Sequence, residues 1–469
     1  MDVLTLIPTH LDKQGDRFRA SFVCRHWRRT FIQRGELWTQ LFLSKGEAYA
    51  KTLLGRAKGS TLDITVGFPD PTTTLELLSS RSKQIRSLTL SSSHVKVFSQ
   101  AVPGPYPLVH TLTIDVKNGP YYSNSSWLSI PSPLVFPNLV SFDLQAGSPE
   151  DFSVLQLLDF LESSPILETV RMKIAGYSCL EGIHQGRVVI LPNIKHLDLT
   201  MDNRLTMDNC GPSSRIAAHI SCPSARFTSM KEEIYYDSTI EEDILPHLVH
   251  WSAIIHQYAR SLIEEVAFEL EAREDVKCRL AFRSLDGAVI ELCYNVTIGD
   301  EDSDTVEEGW LHRMVYERLL TEATGTIRNY PQLANIKRLR ILHYSFPIYS
   351  SEMEHTEKEA ARLFETMGPL EELAIHCDPR PYLHSFLTAR SSQTGGKIVF
   401  PQIKGLTILY CGSYWRNEVK SLAKSRHAQG IPFECLTFLD GMPPGIEKDL
   451  RSWVGSVKYC RSRLEGWDF

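Results

Sequence analysis

The sequence predicts an α/β fold in which short parallel strands alternate with helices, preceded by a small all-helical segment. Two observations predict it. A spaced apolar template recurs ten times along the chain, and stretches with helical periodicity fill many of the intervals. Residues 1–43 lack the template and carry helix-like apolar patterns instead. Parallel strands need a crossover of about a dozen residues or more, and these intervals provide it.

The template is L-x-x-L-x-L, with any large apolar residue at its three positions. Its middle residues lie 24 to 34 residues apart, except for two steps of 69 and 73. Seven prolines stand just before it, where proline ends a helix without removing a ladder hydrogen bond: Pro107, Pro137, Pro165, Pro192, Pro369, Pro401 and Pro432. The predicted strands are 85–90, 109–114, 139–144, 167–172, 194–199, 336–341, 370–375, 403–408 and 433–438, and 263–268 also matches the template.

The intervals carry helical periodicity at 150–163, 245–270, 310–321, 357–367 and 414–428. The rhythm is interrupted at about 200–335, where a hairpin is predicted around the turn Ser284-Leu285-Asp286-Gly287. A strand and a helix about every 30 residues is the plan of a leucine-rich-repeat solenoid, with parallel strands concave and helices convex. Residues 443–469 are then interpreted as a cap, with a helix at 446–466. An ordinary α/β domain with several similar strands is the alternative.

The first 43 residues read as three short helices at about 2–11, 16–32 and 36–42. Val23, Trp27 and Phe31 repeat at a spacing of four and predict an apolar helical stripe. A segment of this size rarely folds alone. We therefore expect another protein or the repeat domain to cover part of its apolar surface.

Composition restricts the class of partner. The 469 residues have a formal net charge of −6, which argues against a nucleic-acid partner. No apolar run reaches the roughly 18 residues needed to cross a bilayer, and residues 1–20 lack the apolar core of a signal peptide. We therefore expect no membrane partner and a cytoplasmic or nuclear localisation.

No catalytic or metal-binding motif is present in the sequence. The ten cysteines form no CxxC pair, and HExxH, GxSxG, P-loop and GxGxxG patterns are absent. We therefore expect no catalytic residue, no metal and no cofactor. A hydrolase within 200–335 is a remote alternative.

One acidic stretch follows the predicted hairpin. Asp300, Asp302 and Asp304 match the first ligand positions of a calcium loop, but Thr305 and Leu311 stand where Gly and Glu are required. The stretch is therefore interpreted as a solvated loop that helps to bind a target protein.

The N-terminal residues resemble a known family. The run Phe22-Val23-Cys24-Arg25-His26-Trp27-Arg28-Arg29, followed by Leu37-Trp38, is similar to the second half of an F-box, and Val3–Pro8 with Leu11 resembles its first helix. With the repeats behind it, the chain resembles F-box proteins that carry irregular leucine-rich repeats. The family usually opens with Leu-Pro-x-Glu, whereas this sequence begins with Met1-Asp2.

The resemblance implies a division of labour. Residues 1–43 would be the F-box-like module, 44–66 a connecting helix and first strand, and 67–469 the repeat domain. The module would bind the Skp-type adaptor of a cullin–RING ubiquitin ligase, and the repeats an unknown target protein. The adaptor-binding residues would be Leu4, Ile7, Leu11, Val23, Trp27 and Trp38. The alternative is a protein-interaction scaffold with a degenerate F-box that recruits no ligase.

Overall fold

The structure of the chain, a computed structural model, describes residues 14–43, 46–67, 76–91, 105–115, 136–146, 154–175, 187–204, 216–217, 219–236, 258, 262–272, 275–298, 306–329, 336–345, 350–366, 370–376, 382–383, 385, 402–409, 416–439 and 445–460. The described residues form a mixed α/β fold in which most strand pairs are parallel. The chain divides into two compact units, Met1–Asp202 with His219–Ser224, and Asn203–Ala218 with Ala225–Phe469.

In the first unit, consecutive strands pair in parallel and in chain order. They are β1 (Gln40–Leu43), β2 (Leu62–Val66), β3 (Ile85–Ser91), β4 (Thr111–Asp115), β5 (Ser141–Ala146), β6 (Thr169–Ala175) and β8 (His196–Arg204). Two short strands, β7 (Val189–Ile190) and β9 (Ile220–Ser221), form a separate parallel pair.

The second unit orders its strands β10-β13-β12-β11-β14-β15-β16-β17-β18. All neighbours are parallel except β12, which runs antiparallel to both β11 and β13. Their bounds are β10 (Phe227–Tyr236), β11 (Ile263–Ala272), β12 (Asp275–Ser284), β13 (Val289–Ile298), β14 (Arg338–Ser345), β15 (Glu372–His376), β16 (Gly405–Leu409), β17 (Cys435–Leu439) and β18 (Ser456–Cys460). The predicted hairpin is therefore confirmed as β12–β13.

The template residues meet in register and build the core. In the first unit, the middle residues lie side by side in the order Leu88, Leu112, Phe142, Val170 and Leu197, and each is 0 % exposed. In the second unit, the same position forms the column Val266, Leu339, Leu373, Leu406 and Leu436. All nine predicted strands are thus confirmed, with their starts shifted by up to two residues, and the template match at 263–268 is a strand as well.

A continuous backbone ladder precedes these strands. The ladder is formed by the residue that follows the first apolar residue of each template. Its amide donates to the carbonyl of the equivalent residue in the neighbouring repeat, as in His110 to Arg86 at 2.9 Å and Glu168 to Val140 at 2.8 Å. Two asparagines strengthen the turns, because Asn138 Nδ2 donates to the Pro107 carbonyl and Asn193 Nδ2 to the Pro165 carbonyl, both at 2.8 Å. The turns therefore hold the register as well as the strands do.

In the second unit, the same ladder position alternates in charge. Across β11 and β14–β17, it is occupied by Glu264, Lys337, Glu371, Lys404 and Glu434, joined by backbone bonds of 2.8 to 2.9 Å. Lys337 Nζ lies 3.9 Å from Glu264 Oε1. Neighbouring strands are about 4.8 Å apart, so adjacent ladder positions carry opposite charges at close range.

We expect Lys404→Glu to destabilise the second unit by about 0.5–1 kcal/mol, because it places three glutamates at successive ladder positions. Urea unfolding at low and high salt measures the effect, which should shrink as salt screens the repulsion. Lys404→Gln is the control, with a smaller loss. An equal loss in both variants would show that side-chain packing, and not charge, matters at this position.

The helices lie mostly where periodicity predicts them. They are α1 (Gln14–Ala20), α2 (Arg25–Gln33), α3 (Glu47–Ala57), α4 (Val154–Glu162), α5 (Val306–Asn329), α6 (Ser350–Thr366), α7 (Arg416–Ala428) and α8 (Ile446–Leu450). Gly430, two residues beyond α7, has φ of 74° and ends the helix, as expected of a residue without a Cβ.

Four helix predictions need correction. The helix predicted at 16–32 is two helices, α1 and α2, and the one predicted at 36–42 is a 3₁₀ turn, Gly35–Trp38, followed by β1. Of 245–270, residues 263–270 belong to β11, where Val266, Phe268 and Leu270 alternate with a strand period of two. Residues 245–257 lie outside the described residues.

The predicted C-terminal helix, 446–466, is also wrong. Helix α8 ends at Leu450, and residues 456–460 form the strand β18 on β17. Gly455 permits this, because its amide donates to the Phe433 carbonyl at 2.9 Å and a Cβ there would lie 2.9 Å from the Glu434 carbonyl oxygen. The described end of the second unit is therefore a strand and not a capping helix.

Candidate functional site

The candidate site is the outer surface of α1, α2 and the turn between them, within the first unit. The turn forms because Ser21 and Phe22 bond back to the end of α1, with the Phe22 amide 2.9 Å from the Arg19 carbonyl. Cys24 has an extended backbone and caps α2, its Sγ accepting from the Trp27 amide at 3.4 Å. The sequence Ser21–Cys24 thus interrupts what would otherwise be one helix.

The turn exposes two large apolar side chains. Phe22 is 57 % exposed and Val23 is 66 % exposed. The Arg28 guanidinium lies 5.7 Å from the Phe22 ring centroid, and Arg28 Nε donates to the Ser21 carbonyl at 3.4 Å. Arg28 therefore ties the turn to the outer side of α2. Exposed apolar side chains gathered in a turn are typical of a protein-binding surface.

The inner side of α2 packs on the module's own core. Trp27 is half-buried and stacks on Phe31 with a centroid distance of 6.0 Å. Trp38 is 1 % exposed, and its Nε1 donates to the Phe31 carbonyl at 2.8 Å. Phe18 meets the Trp38 ring edge-on at 6.4 Å. Aromatic rings from α1, α2 and the 3₁₀ turn thus form one small core.

Helix α3 completes this core with a charged side chain. The Arg56 guanidinium lies 4.6 Å from the ring centroids of both Phe18 and Trp38. Desolvation lowers the pKa of Arg56, and cation–π attraction to the two rings offsets part of the desolvation cost. The helices at residues 14–38 are therefore packed on α3, which leads into β2.

Gln14 fastens α1 to the sheet. Its Oε1 accepts from the Phe42 amide at 2.5 Å, and its Nε2 donates to the Phe42 carbonyl at 3.1 Å. These are the two bonds that a neighbouring strand would make to β1. Nε2 also donates to the Tyr49 hydroxyl of α3 at 2.8 Å. A shallow polar recess of about 350 Å³ adjoins Gln14 on β1–β3, where Thr65, Ser87 and Thr89 line it.

The predicted adaptor-binding residues do not form one group. Val23 is exposed as predicted, and Trp27 is partly accessible. Trp38 belongs to the core, since a residue 1 % exposed offers no surface to a partner. Leu4, Ile7 and Leu11 lie outside the described residues. The exposure of Phe22 was not predicted, although Ser-Phe-Val-Cys is a run of weak helix formers.

The predicted target-binding residues Asp300, Asp302 and Asp304 lie outside the described residues. The neighbouring hairpin carries a charged surface on the sheet face opposite the core, here called the open sheet face. Arg279 Nε lies 2.5 Å from Glu291 Oε1, and Arg279 Nη1 lies 3.4 Å from Glu269 Oε2. These ion pairs join β11, β12 and β13, and the one arginine leaves the two glutamates with one net negative charge.

His376, the last residue of β15, is the most perturbed imidazole of the described residues. It is 6 % exposed, and its Nε2 has no hydrogen-bond partner among the described residues. Burial lowers the pKa of His376 to about 4, and the positive charge of Arg340 acts in the same direction. The folded protein therefore holds this imidazole neutral at physiological pH.

We expect His376 to make stability depend on pH. Between its ordinary pKa of 6.5 and the folded value of about 4, the unfolded chain binds a proton that the folded chain does not. Stability is therefore retained above pH 6.5 and is lost as pH falls towards 4, by on the order of 3 kcal/mol in total. Urea unfolding of wild type and His376→Leu should diverge over this interval. Parallel pH profiles would contradict the prediction.

Cys278 and Cys293 lie on the hairpin strands β12 and β13. Burial raises the pKa of Cys293 to about 11 and that of Cys278 well above its usual value, so both thiols stay protonated at neutral pH. No group of three or more His, Cys, Asp or Glu side chains that could hold a metal occurs in the described part of the chain. None of the described helices is both long and apolar enough to cross a membrane.

No protein-family model matches the chain, and no curated protein sequence matches it either.

Proposed function

We propose that this chain is a substrate-recognition adaptor of a Skp/cullin/F-box ubiquitin ligase, with no catalytic residue of its own. The observation that carries the proposal is the exposure of Phe22 and Val23 beside a partly accessible Trp27. These residues lie within the run that resembles an F-box. An apolar surface at this point of the sequence is what adaptor docking requires.

In this proposal, residues 14–43 are the described part of an F-box module. The strand columns and turn ladders of both units belong to an irregular leucine-rich-repeat solenoid with the open sheet face on its concave side. Their in-register template residues support it, because each repeat then buries its apolar face only against its neighbours. The protein would work in the cytoplasm or nucleus, without nucleic-acid or membrane partners.

The mechanism would be proximity. The N-terminal surface binds the Skp-type adaptor, and the open sheet face holds a target protein near the ubiquitin-charged enzyme. Because one chain holds both the ligase and the target, their effective concentration rises, and this chain itself performs no chemistry. Hydroxyl side chains such as Thr89, Thr113 and Ser141 and the charged pairs of β11–β13 offer hydrogen bonds to that target.

Quantitative binding of purified Skp-type adaptor tests the proposal. Trp27→Ala should weaken binding by about thirtyfold, as expected when an aromatic hot-spot contact of about 2 kcal/mol is lost. Leu285→Ala is the matched control, since Leu285 is an apolar residue of the other unit that is 56 % exposed. It should bind like wild type.

Intact chain that recovers no adaptor at micromolar concentrations would overturn the ligase function. The alternative would then stand, a protein-interaction scaffold that recruits no ligase. Near-ultraviolet circular dichroism of each variant shows whether the aromatic core of the module is preserved, so that lost binding is not confused with lost structure.

A further inference from the structure

The outward face of α2 carries three arginines within its first five residues. Arg25, Arg28, Arg29 and Ile32 follow the spacing i, i+3, i+4 and i+7, which places them on one side of a helix. All four are exposed, whereas Trp27 and Phe31 on the other side are turned towards the core. Residues 25–29 therefore present a cationic surface on the side of α2 opposite Trp27 and Phe31.

This charge is concentrated against the trend of the chain. Residues 14–34 contain six arginines and one aspartate, although the chain as a whole has a net charge of −6. Potentials of one sign over a small surface attract partners of the opposite sign and select their orientation. The clustering of arginines on one helix face therefore favours a role in binding a partner over a role in solubility.

Two of the arginines are available to a partner. Several others are engaged within the unit: Arg17 Nη1 donates to the Leu37 carbonyl, Arg19 pairs with Asp16 and Arg34 pairs with Glu36. Arg25 and Arg29 are exposed and have no ion-pair partner among the described residues. They lie one helical turn apart, a spacing that two carboxylates on a facing helix can match.

Apolar side chains stand at both ends of this surface. Phe22, 57 % exposed, lies beside Arg28 at one end, and Ile32, 38 % exposed, lies at the other. A lipid surface favours helices with a broad continuous apolar face that is exposed. The apolar face of α2, formed by Trp27 and Phe31, is instead turned towards the core of the unit. Isolated apolar anchors around a charged centre instead favour a folded partner with pockets.

We infer that this face, consisting of Phe22, Arg25, Arg28, Arg29 and Ile32, docks onto an acidic protein surface. The inference rests on the proposed function, under which the acidic surface belongs to the Skp-type adaptor. It adds that carboxylates of that partner face Arg25 and Arg29, and that association is steered by charge. Trp27 then contributes from the inner edge of the contact.

The test compares adaptor binding and its salt dependence in three full-length proteins. They are wild type, Arg25→Glu with Arg29→Glu, and the control Lys83→Glu with Lys458→Glu, which makes the same charge change at two other exposed cations. The arginine variant should bind about tenfold more weakly or worse, mainly through slower association, and lose most of its salt dependence. The lysine variant should bind like wild type.

Each other outcome is decisive. If wild type binds the adaptor, and neither added salt nor the two arginine substitutions weaken this binding, the inference is overturned and the proposed function is left intact. No adaptor binding by wild type overturns the proposed function. Arginine-dependent binding to phosphatidylserine vesicles in place of the adaptor overturns the inference and assigns the face to a lipid surface. Circular dichroism must show that the arginine variant keeps its helices.

Discussion

Replacing Trp38 with alanine is expected to unfold the N-terminal helical core, at a cost of about 3–5 kcal/mol. The side chain is 1 % exposed and lies between α2, the ring of Phe18 and the guanidinium of Arg56. Its removal leaves a cavity that the short helices cannot fill, together with an unpaired carbonyl at Phe31. Hydrogen exchange of residues 14–57 measures the loss directly.

Trp38→Phe separates the ring from its hydrogen bond. It keeps an aromatic ring at this position and loses the bond from Nε1 to Phe31. The lost bond is expected to cost about 1 kcal/mol, in addition to the cost of the smaller ring. Adaptor binding should survive in Trp38→Phe, because Trp38 offers no surface. Loss of binding in a folded Trp38→Phe variant would contradict its assignment to the core.

Phe142→Ala is expected to destabilise the first unit by a similar amount, about 3–5 kcal/mol. Phe142 is 0 % exposed, lies in register between Leu112 and Val170, and packs against Phe160 of α4 at a centroid distance of 4.8 Å. The ring therefore joins three strands and the helix above them. Phe142→Leu, which conserves most of the volume, should cost less than about 1.5 kcal/mol.

The location of this loss tests the repeat organisation. In a stacked repeat, each element contacts only its neighbours, so hydrogen exchange should rise in β4, β5, β6 and α4. Exchange in β14–β17 should remain at the wild-type rate. A uniform rise through both units would show that the chain unfolds as one cooperative block and would contradict nearest-neighbour stacking.

Much of the strand architecture was predictable from the sequence. The template puts its apolar residues two apart within a strand, and this period places them on one face. Once Leu88, Leu112 and Phe142 share that face, parallel register is the arrangement that buries all of them. The prolines before the strands end the preceding segments, so the strand starts are signalled twice.

The antiparallel insertion was only partly predictable. The turn residues at 284–287 predict the hairpin β12–β13, but no local sequence pattern predicts that β12 lies between β11 and β13. That order depends on pairing across the whole insertion. Edge strands were missed for the same reason: β1 and β18 are short, and their neighbours β2 and β17 supply the partners that make them strands.

The candidate site shows the same division. The resemblance to an F-box predicted Val23 and Trp27 as adaptor-binding residues, and the helical spacing predicted one apolar stripe through them. Because α1 ends at Ala20, that stripe is broken, and Phe22 and Val23 turn outward. The sequence shows the arginines at positions 25 and 29, but only the structure shows that they form no ion pair with another described residue.

The sequence by itself determined the parallel strand columns and the turns before them, and it carries the resemblance on which the proposed function rests. These depend on local periodicity, which acts over a few residues and needs no distant partner. Only the tertiary structure decided which aromatic residues are core and which are exposed. It also placed the Arg56 guanidinium against the rings of Phe18 and Trp38, and it made strands of the short segments β1 and β18 by pairing them with β2 and β17. These outcomes depend on burial and on hydrogen bonds between segments far apart in the chain, where long-range packing overrides local propensity.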